Sequence, residues 1–280
     1  MPELPEVETV RRTMERVLVG HTITDVEIPE DAILLQKRPA SAFIEVLHGA
    51  KPTAIGRKGK TWWIDLGHDV VVYGHLGMTG WVRQMDAPTI RLKEHGKMPL
   101  DDENGRPRFL KMLLTSEMGD RIAFTDGRRL ARMWLGPRPN LEPKILQLGF
   151  DCLSEIPSAS ELHAILQRRA APLKAVLLDQ SVFAGVGNWI ADEVCYQAQI
   201  FPGRIAKSLS QSEVESLRTA LQQIVRTAVD CGADENQYPK DWLFHARWGG
   251  NRGVETWLGK PIRRETIAGR TTAWIPELQK

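Results

Sequence analysis

The sequence predicts an α+β fold in which an antiparallel β domain comes first, a helical domain second and a β-hairpin last. Three changes in residue pattern support this order. Helical spacing of apolar residues ends at Gly20, and short β-branched and aromatic segments then continue to residue 125. Helical periodicity returns over 158–230, and residues 243–275 form short segments between glycine-rich turns.

The N-terminal helix is predicted to begin near Pro5, because proline suits a first helical turn, and to end at Gly20. Its apolar residues recur on one face: Val7, Val10, Met14, Val17 and Leu18. Packed against the β domain, this helix would hold the start of the chain in place.

The β domain is predicted from seven short segments that are rich in β-branched and aromatic residues. They are residues 23–28, 54–56, 62–66, 70–73, 80–82, 111–115 and 121–125. Residues 86–107 are polar and rich in glycine, proline and charge, which predicts a long loop.

Three prolines between Leu135 and Pro143 predict a linker. The predicted domains are the β domain at 1–137, a linker at 138–149, the helical domain at 150–242 and the hairpin at 243–280. Within the helical domain, helices are predicted over 158–169, 172–180, 188–198 and 210–230.

The third of these helices follows a glycine-containing turn. Asn188 is predicted to cap a helix that begins at Trp189, where backbone amides make a phosphate site. Gly185 and Gly187 do not indicate a dinucleotide-binding loop, because the third glycine and the preceding parallel strand are missing.

The composition is typical of a globular protein and argues against several other classes. With 280 residues the chain has room for two domains, and 42% hydrophobic and 26% charged residues are typical of globular proteins. The net charge of +2 is too small to indicate a nucleic-acid partner by itself. Cys152, Cys195 and Cys231 form no Cys-x-x-Cys pair, which argues against a disulfide framework and a cysteine zinc site. Without a targeting segment or a long apolar run, we expect a cytoplasmic protein that has no membrane contact.

The start of the chain offers an unusual nucleophile. If Met1 is removed, Pro2 becomes a free secondary amine beside the carboxylate of Glu3. An α-amino group has a pKa of about 7.7–8.0, so roughly a tenth of it is neutral at pH 7. Condensation of a secondary amine with a sugar aldehyde gives a cationic iminium, which favours elimination. The alternative, favoured by these residues alone, is that Pro2 and Pro5 only stiffen the chain before a helix.

Residues 1–12, Met-Pro-Glu-Leu-Pro-Glu-Val-Glu-Thr-Val-Arg-Arg, resemble the N-terminal signature of the formamidopyrimidine-DNA glycosylase and endonuclease VIII family. Residues 75–78, His-Leu-Gly-Met, resemble a family motif between two strands. Residues 177–193 resemble its helix–two-turn–helix module, and residues 263–274 resemble its terminal hairpin. The resemblance covers nearly the whole chain and implies a β-sandwich with an N-terminal helix, followed by a helix–two-turn–helix domain.

The resemblance also implies the roles of the catalytic residues. Pro2 is the expected nucleophile, Glu3 the general acid and Glu6 a helper in proton handling. Lys60 and Arg270 match positions that hold phosphates and assist catalysis.

Further residues match positions that contact DNA: His75, Lys174, Asn188, Arg263 and Arg264. Residues 241–280 hold seven lysines and arginines against four acidic residues, a local basic excess where the resemblance places DNA.

Residues 126–131, Asp-Gly-Arg-Arg-Leu-Ala, resemble a family loop of sequence Asp-Pro-Arg-Arg-Phe-Gly. In that loop an arginine pairs with the orphaned base and the phenylalanine wedges between base pairs. Arg129 is the expected pairing residue, and Leu130 stands where the family has phenylalanine. Met78 would fill the space left by the extruded base.

Many family members build the terminal hairpin around four zinc-binding cysteines. The corresponding residues here are Glu255, Leu258, Ile275 and Leu278. One carboxylate and three aliphatic side chains cannot form a structural zinc site. The chain therefore resembles the zincless variants, with Trp257 and Trp274 as candidate core residues of the hairpin, and we expect no metal and no cofactor.

The resemblance implies a monomeric base-excision-repair DNA glycosylase with AP lyase activity, which acts on double-stranded DNA containing oxidised bases or abasic sites. Elimination on both sides of the sugar (β and δ) would leave a one-nucleotide gap. The expected substrates are formamidopyrimidines and further-oxidised purines, because the connection at 231–240 is short and acidic and would cover 8-oxoguanine poorly. In a bacterium the protein would associate with the nucleoid. Two alternatives stay open: an endonuclease VIII-like enzyme for oxidised pyrimidines, and a catalytically inactive DNA-binding relative.

Overall fold

The structure is a computed structural model that describes residues 1–85, 87, 101–248 and 255–280. The chain divides into two units, one formed by Met1–Gln147 with Gly232–Glu235 and the other by Leu148–Cys231 with Asn236–Lys280. The division falls inside the stretch that the sequence predicts as a linker. The terminal hairpin belongs to the same unit as the helices.

The described part of the first unit contains two four-stranded antiparallel sheets. Their strands are β1 (Ile23–Glu27), β2 (Ala54–Lys58), β3 (Thr61–Asp65), β4 (Val71–His75), β5 (Trp81–Gln84), β6 (Leu110–Ser116), β7 (Arg121–Thr125) and β8 (Arg132–Gly136). One sheet has the order β1-β6-β7-β5 and the other β2-β3-β4-β8. Apolar side chains of both sheets share one core, where the rings of Trp62 and Phe124 meet edge-on at 6.0 Å. The two sheets therefore form the predicted β-sandwich.

Helix α1 (Leu4–Leu18) begins at a reciprocal capping box between Glu3 and Glu6. Pro5 lies in the first turn, where the missing N–H leaves no acceptor unsatisfied. The apolar face of α1 is part of the sandwich core, and the chain turns away at Gly20, which has a φ of +79°. The predicted first helix is confirmed.

The sequence does not predict three elements of the first unit: helix α2 (Ala40–Leu47), strand β8 and the one-turn helix α3 (Pro143–Leu146). Helix α2 has only eight residues, too few for a clear apolar period. Strand β8 enters the proline-rich stretch that predicts a linker, and its pairing with β4 makes it a strand. Residue 86 and residues 88–100 of the predicted loop lie outside the described residues.

The second unit contains helices α4 (Ala159–Leu166), α5 (Leu173–Leu178), α6 (Asn188–Gln197) and α7 (Gln211–Asp230). Each lies inside a range predicted as helical. A short parallel pair, β9 (Phe150–Asp151) and β10 (Phe183–Ala184), precedes α6. No helix in the described part of the chain is long and apolar enough to span a lipid bilayer.

Two hairpins end the second unit. They are β11 (Thr256–Trp257) with β12 (Lys260–Pro261), and β13 (Arg263–Ile267) with β14 (Arg270–Trp274). An apolar cluster packs beneath them: Leu243, Ala273 and Ile275, with Tyr196, Trp257, Ile262 and Leu278 at its edge. The ring of Trp274 lies 4.4 Å from that of Phe201. Trp257 and Trp274 thus pack as predicted, and two of the four zinc-finger positions, Ile275 and Leu278, contribute apolar surface and no ligand.

Candidate active site and nucleic-acid interface

Pro2 and the two carboxylates that follow it lie at the start of α1. Pro2, Glu3 and Glu6 are all buried. The Glu3 N–H donates to Glu6 Oε2 at 2.9 Å, and the Glu3 carboxylate accepts from the Glu6 backbone amide. The first turn of the helix therefore fixes both carboxylates close to Pro2 in the chain.

A buried ion-pair network connects α1 to the turn that carries Lys60. Arg57 Nε donates to Glu8 Oε2 at 3.0 Å, and Arg57 Nη1 donates to the Gly59 carbonyl at 2.9 Å. Burial acts to raise the pKa of Glu8, but Arg57 and Arg11 outweigh it, so this pKa lies below its usual value. Glu8 is therefore ionised at neutral pH, and it holds the β2–β3 turn with Lys60 against α1.

His75 ends strand β4, opposite Thr61 on one side and Arg132 on the other. Its Nδ1 accepts the Gly77 N–H at 3.0 Å, so the neutral ring carries its proton on Nε2. Burial, followed by the charges of Lys60 and Arg132, lowers the pKa of His75 to about 4. At neutral pH His75 is an uncharged donor, which suits a hydrogen bond to a phosphate oxygen.

Met78 and Leu130 are carried by two loops that touch each other. A Cβ on Gly77 would lie 2.4 Å from the Leu130 carbonyl oxygen, and Gly77 has a φ of +63°, so this contact requires glycine. Buried Asp126 joins the loops, since Oδ1 accepts from the Thr79 hydroxyl and Oδ2 from the Leu130 N–H, each at 2.7 Å. The Met78 and Leu130 side chains are exposed, and the fold brings these two predicted void-filling residues together.

Arg129 lies in the second of these loops, and its side chain is 55% exposed. Its guanidinium binds the buried carboxylate of Asp31, with Nε donating to Oδ2 at 3.2 Å and Nη2 to Oδ1 at 2.8 Å. Lys111 Nζ also donates to Asp31 Oδ2, at 2.9 Å. The hydrogen bond from Arg129, helped by Lys111 and opposed by burial, holds the pKa of Asp31 well below its usual range.

In the second unit, Asn188 is the first residue of α6 and not its cap, which is Gly187. The predicted cap is wrong because the Asn188 side chain is used elsewhere: its Nδ2 donates to the Thr271 carbonyl of β14 at 3.1 Å. This bond ties the start of α6 to the hairpin strand, next to exposed Arg270. A helix N-terminus and an exposed guanidinium are both suited to phosphate groups.

Lys174 is fully buried, which corrects the prediction that it contacts DNA. Its Nζ donates to Asp192 Oδ1 at 2.5 Å, to Thr272 Oγ1 at 2.8 Å and to the Thr271 carbonyl at 3.1 Å. Asp192 Oδ2 also accepts from Arg247 Nη2 at 2.9 Å. The ammonium of Lys174 therefore supports β14 from inside the unit.

The two arginines of β13 differ in their surroundings. Arg264 donates to the carbonyl oxygens of Ala246 at 2.7 Å and Arg247 at 3.4 Å, so it ties the hairpin to the preceding chain. Arg263 is exposed, and Glu265 is 3.6 Å away. We therefore assign Arg264 a structural role and keep Arg263 as a predicted DNA contact.

Residues 231–240 form a packed connection. The Tyr238 ring is buried, and the rings of Trp189, Trp242 and Phe244 lie 5.7, 5.0 and 5.0 Å from it. The buried ring of Tyr238 anchors this connection, and the expectation that the short, acidic segment covers 8-oxoguanine poorly stays a prediction. Among the described residues, no three His, Cys, Asp or Glu side chains are grouped to hold a metal ion.

Sequence reasoning missed four charged residues that organise the first unit: Glu8, Asp31, Arg57 and Asp126. Glu8 carried no local signal of its burial, because Arg11, Arg12 and Glu15 follow it at helical spacing and predict a charged, exposed face. Its burial depends on Arg57, which is 49 residues away in the chain.

Two domains of one family match most of the chain. Residues 1–133 match the formamidopyrimidine-DNA glycosylase N-terminal domain, and residues 148–240 match the formamidopyrimidine-DNA glycosylase H2TH domain. A formamidopyrimidine-DNA glycosylase of Arabidopsis thaliana is 36% identical over 282 residues, which cover 100% of this chain and 71% of that protein. A formamidopyrimidine-DNA glycosylase of Thermus thermophilus is 32% identical over 292 residues, covering 100% of this chain and 98% of the relative.

Solved structures share the fold. Formamidopyrimidine-DNA glycosylase of Lactococcus lactis, bound non-covalently to DNA with an AP site, has a TM-score of 0.80 at 24% identity over 99% of each chain. MutM in complex with DNA containing carbocyclic 8-oxo-G has a TM-score of 0.78 at 25% identity over 100% of each chain. Because both domains match and relatives above 30% identity align with the whole of this chain, the chain belongs to the formamidopyrimidine-DNA glycosylase family.

Proposed function

We propose that this chain is a DNA glycosylase with AP lyase activity that removes oxidised purine bases from double-stranded DNA. The observation that carries the proposal is the start of α1, where buried Glu3 and Glu6 are locked together directly after Pro2. The names of its relatives support this function, as do solved relatives bound to DNA with an AP site or with FAPY-dG.

Removal of Met1 would free the secondary amine of Pro2. The amine nitrogen bonds to C1′ of a flipped nucleotide while the bond from C1′ to the base breaks, and the base leaves with that electron pair and takes a proton from water. The proton lost by the nitrogen passes to Glu3, which gives it to the sugar ring oxygen as the C1′–O4′ bond opens to an iminium. Loss of a C2′ proton then expels the 3′ phosphate, and a second elimination expels the 5′ phosphate.

Other side chains of both units would hold the nucleic acid. In the first unit, Lys60 and the uncharged His75 donate to phosphate oxygens, while Met78, Arg129 and Leu130 occupy the space left by the flipped nucleotide. In the second unit, the start of α6 at Asn188 binds a phosphate, and so do the exposed guanidiniums of Arg263 and Arg270.

Single-turnover cleavage of an end-labelled duplex tests this function. With one formamidopyrimidine opposite cytosine, we expect a one-nucleotide gap with phosphate at both ends, and no cleavage of the undamaged duplex. Glu3→Gln, which keeps the acceptor of the capping box but has no proton to give, should bind the same duplex and cut it poorly. Faster cleavage at an oxidised pyrimidine would favour the endonuclease VIII-like alternative. Binding without any cleavage would show an inactive relative and refute the proposal.

A further inference from the structure

The contact between Arg129 and Asp31 determines which donors of the guanidinium stay available. Arg129 binds the carboxylate side-on, through Nε at 3.2 Å and Nη2 at 2.8 Å. This pairing uses the Nε–H and one hydrogen of Nη2. The other edge of the guanidinium, formed by Nη1 and the second hydrogen of Nη2, points away from the carboxylate as a fork of two donors.

Asp31 is itself held firmly. Its Oδ1 accepts from the backbone N–H groups of Ile33 and Leu34, both at 3.2 Å, and its Oδ2 accepts from Lys111 at 2.9 Å. The Leu34 carbonyl accepts from the Met133 N–H of β8 at 2.7 Å, which fixes this turn to the sheet. The Asp31 side chain is only 7% exposed, so water competes little for its oxygens.

The backbone of Arg129 is fixed as well. Asp126 Oδ2 accepts from the N–H groups of Leu130 and Ala131, the two residues that follow, at 2.7 and 2.8 Å. Arg129 has a φ of +54°, a conformation that the loop imposes on a residue with a side chain. Both ends of the side chain are therefore constrained before any ligand binds.

Arg129 is the residue that the family resemblance expects to pair with the orphaned base, and we propose that Asp31 is its positioning residue, which holds the guanidinium so that the free fork can make that pair. The pairing edge of cytosine presents two adjacent acceptors, O2 and N3, which match two parallel donors. Adenine, guanine and thymine do not present two adjacent acceptors on that edge, because each acceptor there has a donor or a C–H group beside it. The proposal deepens the proposed function, since it takes as ligand a duplex with a flipped nucleotide.

Binding measurements separate this role from catalysis. The probes are fluorescently labelled duplexes that carry a tetrahydrofuran abasic analogue opposite cytosine or opposite adenine. The Kd of each duplex is measured by fluorescence anisotropy at one fixed salt concentration. Asp31→Asn keeps Oδ1 as acceptor for Ile33 and Leu34 but loses the charge that binds Arg129. The matched control, Lys111→Met, removes the other cation on Asp31 and leaves the Arg129 pair intact.

We expect the unmodified chain to bind the cytosine duplex more tightly. The measured quantity is the Kd for the adenine duplex divided by the Kd for the cytosine duplex. Asp31→Asn should reduce this ratio by about fivefold or more, because a bidentate contact to a base is worth at least about 1 kcal/mol of discrimination. Lys111→Met should keep the ratio within about twofold of that of the parent. A folded Asp31→Asn with the parent's ratio overturns the proposal, and so does a parent chain that binds both duplexes equally.

A second variant keeps the test decisive if Asp31→Asn does not fold. Arg129→Lys retains the positive charge near Asp31 but has no fork, so it should lose the same preference, and adding Asp31→Asn should change it no further. Retention of the preference in Arg129→Lys would overturn the proposal. If no lesion is cut while the preference still depends on Asp31, the glycosylase function fails and the role of Asp31 stands.

Discussion

Replacement of Lys174 by methionine should destabilise the second unit rather than only weaken DNA binding. The Lys174 ammonium is 0% exposed and makes contacts of 2.5, 2.8 and 3.1 Å. Its loss leaves the carboxylate of Asp192 buried, with Arg247 at 2.9 Å as a second partner. Breaking a buried pair costs about 3–5 kcal/mol when the other charge is left alone. Because Arg247 still compensates Asp192, we expect a loss at the lower end of that range, about 3 kcal/mol.

Thermal unfolding followed by near-ultraviolet circular dichroism measures this effect. A loss of about 3 kcal/mol corresponds to a fall in Tm of about 6–12 °C for a unit of this size. The control is Lys207→Met, which changes an exposed lysine of the same unit and should leave Tm unchanged. If Lys174→Met melts like the parent while the slope of log binding constant against log salt falls by about 1, Lys174 contacts a phosphate and does not support the fold.

Three further predictions concern pH, backbone conformation and metal. Burial raises the pKa of Glu193 to about 7, although hydrogen bonds from Gln197 and Phe244 act to lower it. Between about pH 4.5 and 7 the folded chain therefore binds more protons than the unfolded chain, and the free energy of unfolding falls as the pH rises through this range. Urea unfolding at several pH values should show this decline for the parent and a flatter profile for Glu193→Gln; parallel profiles would contradict the assignment. Gly77→Ala should lower the free energy of unfolding by more than Gly119→Ala does. Both glycines have a positive φ, so the backbone strain is similar, but a Cβ at position 77 would lie 2.4 Å from the Leu130 carbonyl oxygen and a Cβ at position 119 would meet no atom within 4 Å. Equal losses in the two variants would show that the loop adjusts to the new Cβ. Elemental mass spectrometry of the purified protein should find no stoichiometric zinc, and a chelator should leave DNA cleavage unchanged. One tightly bound zinc per chain would show that the metal has ligands other than Glu255, Leu258, Ile275 and Leu278.

Periodicity and capping residues predicted most elements because their signals are local. Helix α7, for example, follows a capping box formed by Ser210 and Glu213, and its apolar residues repeat at helical spacing. Strand β8 could not be predicted in this way. Its residues carry no alternation of their own, and they become a strand only through pairing with β4, more than fifty residues earlier.

The motifs located residues of the site but not their partners. Asp31 is 98 residues from Arg129 in the chain, and Glu8 is 49 residues from Arg57. Such pairs depend on how the sheets bring loops together, which no local pattern encodes. The same limit explains Lys174, since a motif gives the position of a cation but not whether its charge is buried or exposed.

Locating the covalent bond between protein and DNA tests directly whether Pro2 is the nucleophile. Borohydride reduction in the presence of an abasic duplex, followed by digestion and peptide mass spectrometry, identifies the nitrogen that forms the iminium. We expect DNA on the nitrogen of Pro2, in chains that have lost Met1, and no trapping when residues are added before Pro2. DNA on Lys60 or another lysine, or efficient trapping by the extended chain, would contradict it.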